Sequence, residues 1–292
     1  MRGALLGSVL LLSPLFAAAQ TPNTLPSDLP SLVRILPQLM RTKQFQLDQY
    51  TNAVDAALKQ NPASVKDAIP LCAPNLRDPE PDVAAMTLVL LLSFANKPGA
   101  ADLIQPLGPE IADIVASGDN HAQRAALMLI ASLGPRAPDE VIPPLENRLH
   151  QHSDSERMTV GIAQALMMAR PRDDTAQSTV LNLINAPDTP RHLRIDLVYS
   201  ALGAPNAGPA IIDYIVHLIN TSDDIVLRDA AVEAAWHIGR PAVDPVRDRL
   251  RQIEKDLSQS PESREQAAMA LSITPKETYP MVNGLPRRKT EN

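Results

Sequence analysis

IVLRDAAVEAAWHIG, residues 225–239, places small and aliphatic residues at helical spacing, and HAQRAALMLIASLG at 121–134 does the same. Within the first stretch Leu227, Ala230, Ala231, Ala234 and Ile238 recur three or four residues apart, which marks one buried face. That reading leaves Asp229, Glu233 and His237 on a solvated stripe. Four further stretches share the pattern: DVAAMTLVLLLSFA from Asp82, SERMTVGIAQALMMA from Ser155, RHLRIDLVYSALG from Arg191 and ESREQAAMALSIT from Glu262. In chain order the six begin 39, 34, 36, 34 and 37 residues apart. Two helices recurring at a fixed period of this size are the mark of stacked helical hairpins, each burying its apolar face on the next.

The intervening helices keep the same register. GPEIADIV from Gly108 matches GPAIIDYIV from Gly208, and VIPPLENRL from Val141 matches VDPVRDRL from Val243 through Pro144 and Pro245, Arg148 and Arg249, Leu149 and Leu250. Proline is tolerated there because a first-turn N–H has no helical acceptor. Ser153 with Glu156 has capping-box spacing, while Thr189-Pro190 and Ser260-Pro261 each read as a helix start. Gly134, Gly203 and Gly239 stand where a left-handed residue would end a first helix.

Composition agrees with an all-α chain. Of 292 residues 45% are hydrophobic but only 3% aromatic, so Leu, Ile, Val and Ala must form the core, which suits close-packed helices better than a β-sandwich. Residues 29–39, 44–60 and 63–76 read as three leading helices, the last two as a degenerate repeat. The expected organisation is a signal peptide at 1–19, a flexible lead at 20–27, an N-terminal cap at 28–77, repeats over 78–274 and a disordered tail at 275–292, which carries Arg287, Arg288 and Lys289. The signal reading rests on Arg2, the apolar run ALLGSVLLLSPLF and Ala17–Ala19. It predicts an exported protein, periplasmic or secreted, with no transmembrane helix after cleavage. The lone Cys72 excludes an internal disulfide, and its spacing with Ile69 and Leu76 predicts a buried structural thiol. The net charge of −6, or −7 without residues 1–19, argues against nucleic acid as partner.

LRDAAVEAAWHIG and HAQRAALMLIASLG, followed by AVDPVRDRL and VIPPLENRL, resemble HEAT repeats, in particular the short Ala-rich bacterial HEAT-like subset. The resemblance covers residues 78–274. It implies a right-handed α-solenoid of about six stacked antiparallel helix pairs, with the second helices lining a concave side. Arg228 and Arg264 match the arginine expected early in the first helix, whereas Ala84, Gln123 and His192 stand near that place elsewhere.

No P-loop, GxGxxG, GxSxG, HExxH or CxxC occurs, so no compact motif calls for an enzyme chemistry or a cofactor. His150 and His152 are two residues apart and would diverge on a helix. Asp213 with His217 and Glu233 with His237 are i,i+4 pairs, compatible with a metal or acid–base site, but the solvated-stripe reading is preferred. Trp236 reads as a plug between repeats or as a contact anchor. Asn220-Thr221-Ser222 is a formal glycosylation acceptor. The function expected is an exported non-enzymatic scaffold or adaptor that holds a protein partner on the concave solenoid surface, with Asn147, Arg148, Asp213, His217, Trp236, Arg247 and Arg251 as contact residues. The alternatives are a lyase-type HEAT-like enzyme and a cell-envelope assembly factor.

Overall fold

The structure, a computed structural model, describes residues 25–42, 46–151, 153–273, 281–282 and 285–286. The expected signal peptide at 1–19, His152 and most of the expected tail, with Arg287, Arg288 and Lys289, lie outside the described residues. The chain begins with α1 (Leu29–Arg41), α2 (Leu47–Gln60), α3 (Val65–Ala68) and α4 (Cys72–Leu76). Helical hairpins follow: α5 (Pro81–Ala95) with α6 (Ala100–Ile104) and α7 (Gly108–Ser117), α8 (Asn120–Leu133) with α9 (Ile142–Gln151), and α10 (Glu156–Ala169) with α11 (Asp174–Asn185). Next come α12 (Arg191–Ser200) with α13 (Pro209–Thr221), then α14 (Ile225–Ile238) with α15 (Arg240–Val243) and α16 (Arg247–Lys255), and α17 (Pro261–Leu271). The strands among the described residues are the pairs Met281–Val282 and Leu285–Pro286, joined antiparallel. The protein is all-α in its packed body.

Two layers run along the array. The first helices stack in order, α5 on α8, α8 on α10, α10 on α12, α12 on α14 and α14 on α17, and these are the six Ala-rich stretches. The second helices stack α4, α7, α9, α11 and α13, and α13 meets the last hairpin through α15 and the turn Asp244–Val246. One contiguous core from Leu29 to Ile273 fills the space between the layers. Small residues allow this: Ala126, Ala163, Ala165, Ala231, Ala234 and Ala267 are fully buried and let neighbouring first helices approach closely.

Polar cross-links repeat with the same period. Arg41 bonds Asp78 at 2.5 Å, Arg77 bonds Glu110, and Gln105 donates to the Arg136 carbonyl at 2.5 Å. Farther along, Arg148 donates to the Val115 carbonyl at 2.7 Å, Arg170 bonds Asp139, Arg191 pairs with Asp224 at 2.6 Å, and Arg228 reaches Gln259 at 2.6 Å. Each partner lies 31 to 37 residues away, one repeat along the chain. Most of these cross-links come from residues at or near helix ends.

Several local expectations are corrected. The N-cap position of α10 is Ser155, whose side chain makes no capping bond, not Ser153, and Asp154 between them pairs with Arg148. Thr189 does not cap α12: its hydroxyl donates to the Leu183 carbonyl at 2.6 Å and Pro190 takes the N-cap. Ser260 does cap α17, accepting from the Ser263 N–H at 3.1 Å, with Pro261 in the first turn. Gly134 and Gly239 have φ of +58° and +89°, which favours glycine, but Gly203 has no positive φ. A Cβ there would stand 3.0 Å from His237 Nδ1, so close approach between repeats is what requires it.

The leading repeat also differs. α1 packs against both α3 and α5 and so takes the place of a first helix, while α2 covers α1. The Tyr50 hydroxyl donates to the Leu32 carbonyl at 2.9 Å and Asn75 donates to the Val33 carbonyl at 2.9 Å, which ties both flanking segments to α1. The expected helix over 63–76 is broken into α3 and α4 by a 3-10 turn at Ile69–Leu71 that contains Pro70. Cys72 in α4 is fully buried, and burial pushes its thiol up to about 12, which leaves it protonated and inert.

Candidate functional site

The second helices share a register that their sequences hide. Ile111, Leu145, Val180, Ile215 and Leu250 are each fully buried and lie 34, 35, 35 and 35 residues apart. At 3.6 residues per turn, the residue two positions on points roughly 200° away, out of the core. Those residues are Asp113, Asn147, Asn182, His217 and Gln252, and all five are exposed. Packed helices lie roughly 8–10 Å apart, so the first four form a column of polar side chains, one per repeat, across α7, α9, α11 and α13, and Gln252 continues the same register on α16. Such amides and imidazoles can both donate and accept.

Two of the contact residues expected from sequence, Asn147 and His217, fall on this column. Asp213 is exposed one turn before His217, whose Nε2 lies 3.3 Å from the Thr221 hydroxyl. Arg251 is exposed beside Gln252 and pairs with Asp248 at 2.7 Å. The other three are engaged within the fold. Arg148 is largely buried, bound to Asp154 through Nε at 3.0 Å as well as to the Val115 carbonyl, so it braces α9 against the neighbouring turn and helix. Arg247 bonds Asp244 at 2.9 Å and donates to the Leu271 carbonyl at 3.4 Å. Trp236 belongs to the first-helix layer, half-buried against the core with its ring 4.8 Å from that of His237. Asp113, Asn182 and Gln252 escaped sequence reasoning. Aligning the second helices on their buried residues instead of on prolines would have found them.

The expected solvated stripe on α14 is a half-buried seam. α17 lies over it: Ser263 donates to Asp229, and Gln266 Nε2 donates to Glu233 at 3.0 Å. Arg228 is buried beside them. The cause is the stack itself, since a first helix is covered by the preceding and following first helices as well as by its own partner. Burial raises the Asp229 carboxyl above its usual range, against the lowering effects of Ser263 and Arg228. His237 is pulled below 6.5 by burial, with Glu233 opposing, and its Nε2 has no partner among the described residues.

The sign for His237 follows from linkage. The unfolded imidazole takes up a proton near pH 6.5, whereas the folded one resists it, so stability is full above 6.5 and falls as pH drops toward the folded value. Asp229 acts oppositely and lower, its ionised form being disfavoured by folding, so its contribution improves as pH falls toward 3.8. Urea unfolding between pH 7.5 and 5.5 is expected to show a decline that His237→Gln reduces. One proton limits the difference to about 1.4 kcal/mol per pH unit. Equal pH slopes for the two proteins would refute the buried-neutral assignment.

Among the described residues no group of three or more His, Cys, Asp or Glu side chains could hold a metal ion, and the two acid–imidazole pairs do not combine into one. No helix of the described residues is long and apolar enough to cross a membrane. No family model matches the chain. No curated protein matches it either. Among solved structures it is similar to two engineered proteins from the Northeast Structural Genomics Consortium. The first is 16% identical over 71% of this chain and 95% of that one, with a TM-score of 0.42. The second is also 16% identical, over 82% of this chain and 67% of that one, with a TM-score of 0.45.

Proposed function

We propose that the chain is an exported, non-enzymatic HEAT-like scaffold that binds a protein partner along the outer face of its second helices. The observation that carries this reading is the exposed column Asp113, Asn147, Asn182 and His217 on stacked helices, with Gln252 at the same register on α16. An extended chain advances about 3.3 Å per residue, so one rung would meet every third residue of a partner laid along the array. The amides and the imidazole can both donate and accept and the Asp113 carboxylate accepts, which suits its peptide groups. The export reading rests on residues 1–19 and the HEAT reading on the two-helix period.

Affinity capture from the extracytoplasmic fraction of the source cells tests both parts. The full chain should recover a specific protein there, and Asn147→Ala combined with Asn182→Ala and His217→Ala should lose it. Recovery unchanged by the triple substitution would overturn the assignment of the face, and residence of the full chain in the cytoplasm would overturn export.

A further inference from the structure

At the α7 end of the column a cleft of about 280 Å³ opens between the end of α4, the start of α5, the end of α7 and the start of α8. Asp113, the first rung, stands on its wall. So does Glu110, which is only 7% exposed. One Glu110 oxygen takes a bond from Arg77, but Oε2 has no partner among the described residues. A buried carboxylate oxygen without a donor is costly; Glu110 lines the cleft, with Oε2 closed off from it while Arg77 lies over the carboxylate.

The rest of the wall defines what would satisfy it. Asp78 is already engaged by Arg41 and by the Glu80 N–H, and Asp119 caps α8 through the His121 N–H. Both still add negative field and answer the positive ends of α5 and α8. Arg77, with a side chain 71% exposed, lies across Glu110 as a cover. Ala84, Ile114 and Ala122 give the cleft an apolar side. The whole suits a cationic head on an aliphatic stem.

The chain contains its own precedent. Two repeats on, the corresponding cleft of about 210 Å³, between α9, α10, α11 and α12, is lined by Arg148. There the guanidinium is 12% exposed and forks onto Asp154 of the same wall, while a further N–H reaches out of the cleft to the Val115 carbonyl of α7. Architecture of this kind accepts a forked guanidinium, which can bond a carboxylate through two N–H groups at once.

We propose that the cleft beside Glu110 is a socket for an arginine side chain of the partner; this rests on the scaffold reading, and the arginine anchors a segment lying along the column. The guanidinium supplies the donor that Oε2 lacks, Asp113 meets it at the mouth, and Arg77 swings aside.

The test uses small probes on the full chain: N-acetyl-arginine methylamide, with N-acetyl-norleucine methylamide as the uncharged control, followed by NMR at the Ile114 and Gly118 amides. The arginine probe should give saturable shifts that the norleucine probe does not. Glu110→Gln should abolish them, and Arg77→Ala, on an exposed side chain, should tighten binding three- to tenfold. Equal shifts from both probes, shifts that survive Glu110→Gln, or binding no tighter in Arg77→Ala would each overturn the socket. Because no column residue beyond Asp113 is involved, failure here would leave the column test standing, and failure of the column would leave the probe result intact.

Discussion

Ala234→Asp is expected to lower the stability of the array by about 4 kcal/mol, a fall in Tm of about 10 °C for a chain of this size. Ala234 is fully buried on α14, the helix that packs against α12, α13 and α17. A carboxylate placed there has no donor waiting for it and must either stay charged in an apolar seam or bind a proton at neutral pH. Ala210→Asp is the matched control. Ala210 is exposed in the first turn of α13, where an acid faces the positive end of the helix and should be neutral or slightly stabilising. Thermal melts of the two variants check the placement of the core; similar melting of both would show that the buried face is misassigned.

Ending the chain after Ser260 should have an effect of the same order, because it removes α17 and uncovers the flank of α14. Asp229 and Glu233 would lose Ser263 and Gln266, Arg247 would lose the Leu271 carbonyl, and the apolar surface under Ala267 and Ala270 would face water. A solenoid whose last interface is bare exposes the surface that another copy can cover. The expected result is a lower midpoint in urea together with concentration-dependent association in size-exclusion chromatography. Ending the chain after Pro275 keeps α17 whole and should leave the midpoint unchanged. If both truncations behave alike, α17 does not cap the array.

The stacked first helices were legible because alanine and leucine at helical spacing, recurring every mid-thirties residues, admit few other ways to bury themselves. The order α5, α8, α10, α12, α14, α17 repeats the order of those six stretches. What escaped reading has a physical reason in each case. Asp229, Glu233 and His237 look like a wet stripe on an isolated helix, and only the neighbouring repeat turns them into a seam. Ser153 has the spacing of a cap, but Asp154 pairs with Arg148 and the helix starts at Glu156, with Ser155 at the N-cap position. Arg148 reads as a surface contact from its charge, whereas its guanidinium is the brace between repeats. The column was half legible: Asn147 and His217 stood out, but Asp113, Asn182 and Gln252 become equivalent to them only when the buried residue two positions earlier is known.

The central claim is that the second-helix face carries the partner. Its most direct test is site-specific photocrosslinking in the source cells, with the photoreactive residue placed in turn at Asp113, Asn147, Asn182, His217 and Gln252, and at Arg124 and Met128 on the exposed side of α8. The account predicts crosslinks to one protein from successive column positions and none from the α8 positions. Crosslinks confined to Arg124 and Met128 would contradict it.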